Sequence, residues 1–122
     1  MTVRIVRLGT PRTAGEGTRL GTVRRPPRGV KKQDYAKLDY YDVWFPDLAP
    51  SAPLIKTAHG DWAKFASRYR QEMQRQEHVL ALLARLSLTS DFAIGCYCED
   101  ESRCHRSILR AILAEHGARL AQ

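Results

Sequence analysis

The 122 residues suffice for one domain with one core and are too few for two. Three cysteines cannot all pair with one another, no apolar run approaches the roughly twenty residues of a membrane span, and the N-terminus lacks a secretory apolar stretch, so a reduced, cytoplasmic protein with no membrane partner is expected. Net charge is +7: residues 1–37 carry ten Lys and Arg against Glu16 and Asp34, while residues 38–122 carry ten against eleven acids, so the surplus lies in the first third.

Val3 to Leu8 alternates between apolar and polar residues and predicts the first strand. Gly9 to Val30 holds five glycines and three prolines and predicts a long loop, with a short paired segment at Leu20–Arg24. Loops of that length in a compact domain are usually functional or mobile. Lys31 to Lys37 predicts a short helix, and the aromatic run Tyr40 to Phe45 a strand stopped by Pro46, followed by irregular chain to Pro53. From Asp61 onward, Trp62, Phe65, Ala66, Tyr69 and Met73 lie on one stripe of a helix. Val79, Leu80, Leu82, Leu83 and Leu86 predict a second helix ending near Ser87. Asp91 to Tyr97 reads as a buried strand, and Arg103 to His116 as a last helix with Ile108, Leu109, Ile112 and Leu113 inward and Gly117 as terminator. Strands alternating with helices imply an α/β single domain, residues 1–122, with a small parallel or mixed sheet and helices packed on it.

The N-terminal cations Arg4, Arg7, Arg12, Arg19, Arg24, Arg25, Arg28, Lys31, Lys32 and Lys37 form either a field that attracts phosphate, nucleotide or nucleic acid, or a solvated basic surface. Within it, Pro26-Pro27 stiffens the chain and Gly29 permits a turn, so that Arg25, Arg28 and Lys31 can grip an anion in a fixed relation. Tyr41 and Trp44 offer faces for base stacking, although a tryptophan inside a strand more commonly packs in a core. Tyr40, Tyr41, Trp44 and the leucine-rich helix are also the surfaces a homodimer would use.

Residues 96–106 gather Cys96, Cys98, Cys104, His105, acids and arginines into a junction between a strand and a helix, where open α/β sheets bind ligands. A structural metal site usually presents paired ligands at two- to four-residue gaps, and Cys104 and His105 in one helical turn would point about 100° apart. No metal and no resident cofactor are therefore expected. A catalytic reading makes Cys104 a thiolate favoured by the helix N-terminus and by Arg103 and Arg106, with His105 as base and Asp100 or Glu99 orienting it. A structural reading makes Cys96 and Cys98 packing residues, with Ser102 or Asp100 capping the last helix.

The segment Ile94-Gly95-Cys96 with Asp100 and Arg103-Cys104-His105-Arg106-Ser107-Ile108-Leu109 resembles the C-terminal signature of the domain of unknown function 488 family. Gly9-Thr10-Pro11-Arg12, Arg25-Pro26-Pro27-Arg28-Gly29, Trp44 with Leu48-Ala49-Pro50-Ser51, and Trp62, Phe65 and Arg68-Tyr69 are similar to its upstream blocks. The resemblance implies a cytoplasmic α/β protein and a site location without an activity. In that family the position of Cys98 is often acidic, and one branch lacks the cysteines while keeping counterparts of Asp100 and His105. The expected site joins Asp100, Cys104 and His105 as catalytic residues to Arg25, Arg28, Lys31 and Arg106 as anion ligands. Its expected partner is a phosphate-containing small molecule or nucleic acid, acted on by an enzyme or, alternatively, held by a non-catalytic nucleic-acid-binding or regulatory module.

Overall fold

The computed structural model describes residues 1–58 and 60–121. Four strands, β1 (Val3–Arg7), β2 (Thr18–Gly21), β3 (Val43–Trp44) and β4 (Phe92–Cys96), form one sheet in the order β1-β4-β2-β3, with every pairing parallel. β4 is buried at all five positions because it has a neighbour on each side and cover on both faces. The free edge of β1 is closed by the C-terminal segment: the Val3 N–H donates to the Arg119 carbonyl, and the Ala121 N–H to the Val3 carbonyl, both at 2.9 Å.

One face of the sheet carries helices. α2 (Trp62–Gln74) begins at Asp61, whose carboxylate accepts from the Lys64 N–H at 3.2 Å, and buries Phe65, Tyr69 and Met73. α3 (Glu77–Leu86) buries Leu80, Leu83 and Ala84, and α4 (His105–Glu115) buries Ile108, Leu109, Ile112 and Leu113. These side chains meet Val3, Ile5, Phe92 and Ile94 in one core. A single-turn helix, α1 (Ala52–Ile55), is capped by Ser51 in the stretch expected to be irregular.

The opposite face is covered by chain without helices. β1, β4 and β2 are parallel, yet residues 8–17 cross from β1 to β2 as loop, and residues 22–42 return to β3 with only a 3-10 turn at Lys32–Asp34. Gly21 lies on this face with the Tyr41 ring over it; a Cβ there would come within 2.3 Å of the ring. Arg19, two residues away and therefore on the same face, has no exposed surface. Its guanidinium donates to Glu16 Oε2 at 2.8 Å and Oε1 at 3.0 Å, to the Thr10 carbonyl at 2.9 Å and to the Asp39 carbonyl at 2.6 Å. Both crossovers are thus tied to one side chain.

Three of the ten N-terminal cations are consumed in this way. Besides Arg19, Arg12 pairs with both oxygens of Asp42 at 2.8 and 3.1 Å, and Arg24 donates to the carbonyls of Pro46, Ala49 and Pro50. Other local expectations shift for identifiable reasons. The helix expected at Lys31–Lys37 is the short 3-10 turn because it has no apolar stripe to bury. The strand expected at Tyr40–Phe45 keeps only Val43 and Trp44, since Tyr41 covers Gly21 and Asp42 serves Arg12 and the Arg19 N–H. Trp44 is 43% exposed on the edge strand instead of packed in the core, its indole donating to the Val23 carbonyl at 2.7 Å. The last helix starts at His105, two residues late, because Cys104 is extended.

Replacing Arg19 by Met takes the ion pair from the buried Glu16 carboxylate, which keeps only the Thr13 N–H, and leaves the Asp39 carbonyl with only the Gly9 N–H, so a loss of about 3–5 kcal/mol in denaturant unfolding is expected. Burial pushes Glu16 up, but the Arg19 hydrogen bond and charge outweigh it and hold the carboxyl below its ordinary 4.5. The pair's contribution is therefore complete above about pH 4.5 and is lost as pH falls through the lowered value, a step that R19M lacks.

Candidate functional site

β1, β2 and β4 all end at the same rim of the sheet, and the chain leaving each end lines one cavity of about 1060 Å³. Leu8 to Thr10 come from the end of β1, Val23 to Arg28 from beyond β2, and Cys96 to Cys98 from β4, with Arg103, Cys104 and His105 closing the floor. Ligand sites of α/β sheets form at this rim because the loops diverge there.

Past β4 the chain makes an excursion before it can start α4. Asp100 caps a 3-10 turn (Glu101–Arg103), its Oδ1 accepting from the Ser102 N–H at 3.0 Å and hydroxyl at 2.6 Å. Glu101 grips Arg110 through two bonds of 2.8 and 3.0 Å, which fixes the turn to α4. Cys104 then sits at φ −126°, ψ 150°, extended and not helical. That conformation removes the 100° divergence expected of Cys104 and His105. The Cys104 Sγ lies 3.7 Å from His105 Nδ1, and the sulfurs of Cys96 and Cys104 and a ring nitrogen of His105 all lie within 4.8 Å of one another.

The imidazole is oriented from its far side. His105 Nε2 lies 2.8 Å from the Thr22 carbonyl oxygen, which can only accept, so Nε2 carries the proton and Nδ1 turns a lone pair to Cys104. Burial pushes His105 down to about 4, partly opposed by the Thr22 bond, so the ring is neutral at physiological pH.

Arg106 lies beneath the same cluster, 3% exposed. Its Nη2 donates to the Cys98 carbonyl, its Nε has no hydrogen-bond partner, and it makes no ion pair among the described residues. Burial pushes this guanidinium down, but Cys96 and Cys104 raise it on balance. Cys98 is exposed on the cavity wall, and contacts from Cys104 and Cys96 hold its thiol well below the ordinary 9.0 despite partial burial, with the charge of Arg106 a smaller contribution in the same direction. Cys104 moves the other way: Cys96 draws it down, but Cys98 and burial outweigh that and leave it raised.

A second contact joins this floor to the basic loop. The Tyr97 hydroxyl donates to the Arg25 carbonyl at 2.9 Å, and Arg7 Nε donates to the Tyr97 carbonyl at 3.3 Å.

The family model DUF488-N3a, described as the active DUF488-N3 subclade, matches residues 3–117. The chain belongs to this family. It is 28% identical over 112 residues to the Uncharacterized protein YeaO of Escherichia coli (strain K12), covering 89% of this chain and 94% of that protein. No solved structure matches at a significant level. Among the described residues, no helix is long and apolar enough to cross a membrane.

In this DUF488-N3a chain, Cys104, His105, Arg25 and Arg28 from the expected site line one cavity. Arg106 is buried under its floor as a counter-charge, without lining it. Asp100 and Lys31 lie apart: the first is exposed and bonded to Ser102, the second precedes the 3-10 turn on the surface. The sequence reading took Cys98 as a packing residue, Arg103 as a neighbour favouring the Cys104 thiolate and Arg7 as one of ten surface cations, and it gave Thr22 and Tyr97 no part in the site. The Cys-x-Cys spacing and the arginine beside Cys104 were visible signals for two of them, whereas nothing local marks Thr22, whose backbone carbonyl does the work.

The buried imidazole gives a direct test of this geometry. Between pH 6.5 and about 4 the unfolded chain takes up a proton that folded His105 refuses, so stability falls over that window by up to about 1.4 kcal/mol per pH unit. Ring chemical shifts of His105 should stay those of the Nε2–H neutral form down to about pH 4, and H105Q should flatten the stability profile across that window.

Proposed function

We propose that this chain is an enzyme in which a cysteine thiolate attacks an electrophilic centre of a phosphate-bearing substrate of nucleotide size. The observation that carries the reading is Arg106, a buried guanidinium with no ion-paired carboxylate among the described residues, set against three sulfurs. An unpaired buried charge costs several kcal/mol. A thiolate in the cluster removes that cost, and Cys98, favoured as the anion and exposed to the cavity, is the atom to carry it.

The cavity suits the substrate class. Its volume is near the upper end of ordinary ligand pockets, about 300–1,000 Å³. Arg25, Arg28 and Arg103 line it and can hold phosphate through paired hydrogen bonds, and Pro26, Pro27 and Ile55 add apolar lining that can take a base. Attack by the Cys98 sulfur forms a bond to the electrophilic atom and breaks the bond to the leaving group, which takes the Cys104 thiol proton. The Cys104 thiolate so formed faces Arg106. Water then cleaves the Cys98 adduct, returning a proton to Cys104 and restoring the Cys98 thiolate. His105 is a positioning residue, its Nδ1 fixing the Cys104 thiol. Asp100 shapes the turn. The word active in the family description agrees with an enzyme. The non-catalytic nucleic-acid-binding alternative rests on the N-terminal charge, part of which is spent on Arg12, Arg19 and Arg24 inside the fold.

Iodoacetamide should label Cys98 ahead of Cys96 and Cys104, almost as fast at pH 6 as at pH 8, and R106Q should slow the pH 6 rate at least about tenfold by removing the counter-charge. In a screen of nucleotides and phosphate esters, C98S should abolish turnover, while R25A and R28A should act mainly on KM. Turnover that survives C98S would overturn the assignment.

A further inference from the structure

We propose that Cys96, Cys104 and His105 form a binding site for a thiophilic divalent cation of the zinc type, and that its occupation closes the thiol chemistry of the cavity. The three ligands come from the end of β4, the extended residue before α4 and the first residue of α4, so sequence spacing conceals what the excursion brings together. Their donor atoms lie within 4.8 Å of one another, all on buried residues. A tetrahedral ion with bonds of about 2.3 Å to sulfur and about 2.0–2.1 Å to nitrogen sets S···N edges of about 3.6 Å. The observed Cys104 Sγ to His105 Nδ1 separation is 3.7 Å.

The outer shell fits as well. Metal-ligating imidazoles usually donate their other ring N–H to a carbonyl or carboxylate, which fixes the tautomer. The Thr22 carbonyl holds Nε2–H at 2.8 Å and leaves the Nδ1 lone pair directed at the sulfurs. All three residues line the cavity, as does Cys98, whose thiol contacts those of Cys96 and Cys104 and is available as a fourth ligand. Two thiolates neutralise a divalent ion; a third from Cys98 makes the centre singly negative, and Arg106 beneath it is the matching positive charge. Cys98 thereby becomes a ligand and ceases to be a nucleophile. The ion site itself stands on Cys96, Cys104 and His105; its effect on catalysis rests on the proposed role of Cys98.

The experiment is an anaerobic titration of reduced, chelator-treated protein with Co2+ and then Zn2+. The expected result is a thiolate-to-cobalt charge-transfer band that saturates at one Co2+ per chain and is displaced by one Zn2+, with affinity at least about 100-fold lower in C96A. H105Q, measured alongside, should also weaken Co2+, so that the test survives if one variant fails to fold by circular dichroism. One equivalent of Zn2+ should protect Cys98 from iodoacetamide in the natural chain, relative to its own metal-free rate, and not in C96A. Absence of the band, or a band of unchanged affinity in folded C96A or H105Q, overturns the site; a band without Cys98 protection overturns the closure. Should Cys98 be unreactive without metal while the band forms as expected, the enzyme reading fails and the ion site stands.

Discussion

Arg19 donates to Glu16, Thr10 and Asp39 from inside β2, and the two crossovers it joins contain no α-helix that could hold them otherwise. Parallel strands normally return through a helix packed on the sheet. Here one face has α2, α3 and α4, and the other has loops whose backbone carbonyls converge on a single guanidinium. A hydrophobic layer would have covered that face without selecting a loop geometry; a planar donor with a bidentate carboxylate and two carbonyl partners selects one. The rim where the cavity forms inherits its shape from that choice, since Leu8 to Thr10 and Val23 to Arg28 are the segments on either side of the strut.

At the floor of the cavity a similar economy of charge operates with a different partner. Arg19 has a carboxylate, whereas Arg106 has sulfur. The Cys98 thiol, drawn toward its anion beside Arg106, stands in an electrostatic place that a carboxylate could also fill. A carboxylate there would be a fixed anion with hard oxygen chemistry; a thiolate is an anion that is also a strong nucleophile and a soft ligand. A cysteine at this position therefore balances Arg106 as a carboxylate would and adds chemistry that oxygen lacks.

The helical half of the fold was legible because its signal is local: Trp62, Phe65, Tyr69 and Met73 repeat at the helical period, and Phe92 to Cys96 form an apolar run bounded by polar residues. The loop half was legible only as loop. Its fixed points are long-range bonds from Arg12, Arg19 and Arg24 to carbonyls and acids many residues away, and composition records such arginines only as positive charge. Trp44 misled because aromatic content speaks for a strand and cannot tell an edge from a centre. The cysteine cluster was found as a cluster, but its internal geometry depended on the extended backbone of Cys104, which the helix-forming residues around it gave no reason to expect.

The hydrogen bond from the Tyr97 hydroxyl to the Arg25 carbonyl makes the arginine loop and the cysteine turn mechanically continuous. Tyr97 lies between Cys96 and Cys98, so a displacement of the Arg25 backbone is passed to the residue that spaces the two sulfurs. Loop position above and sulfur spacing below are thus geared together through one phenol ring.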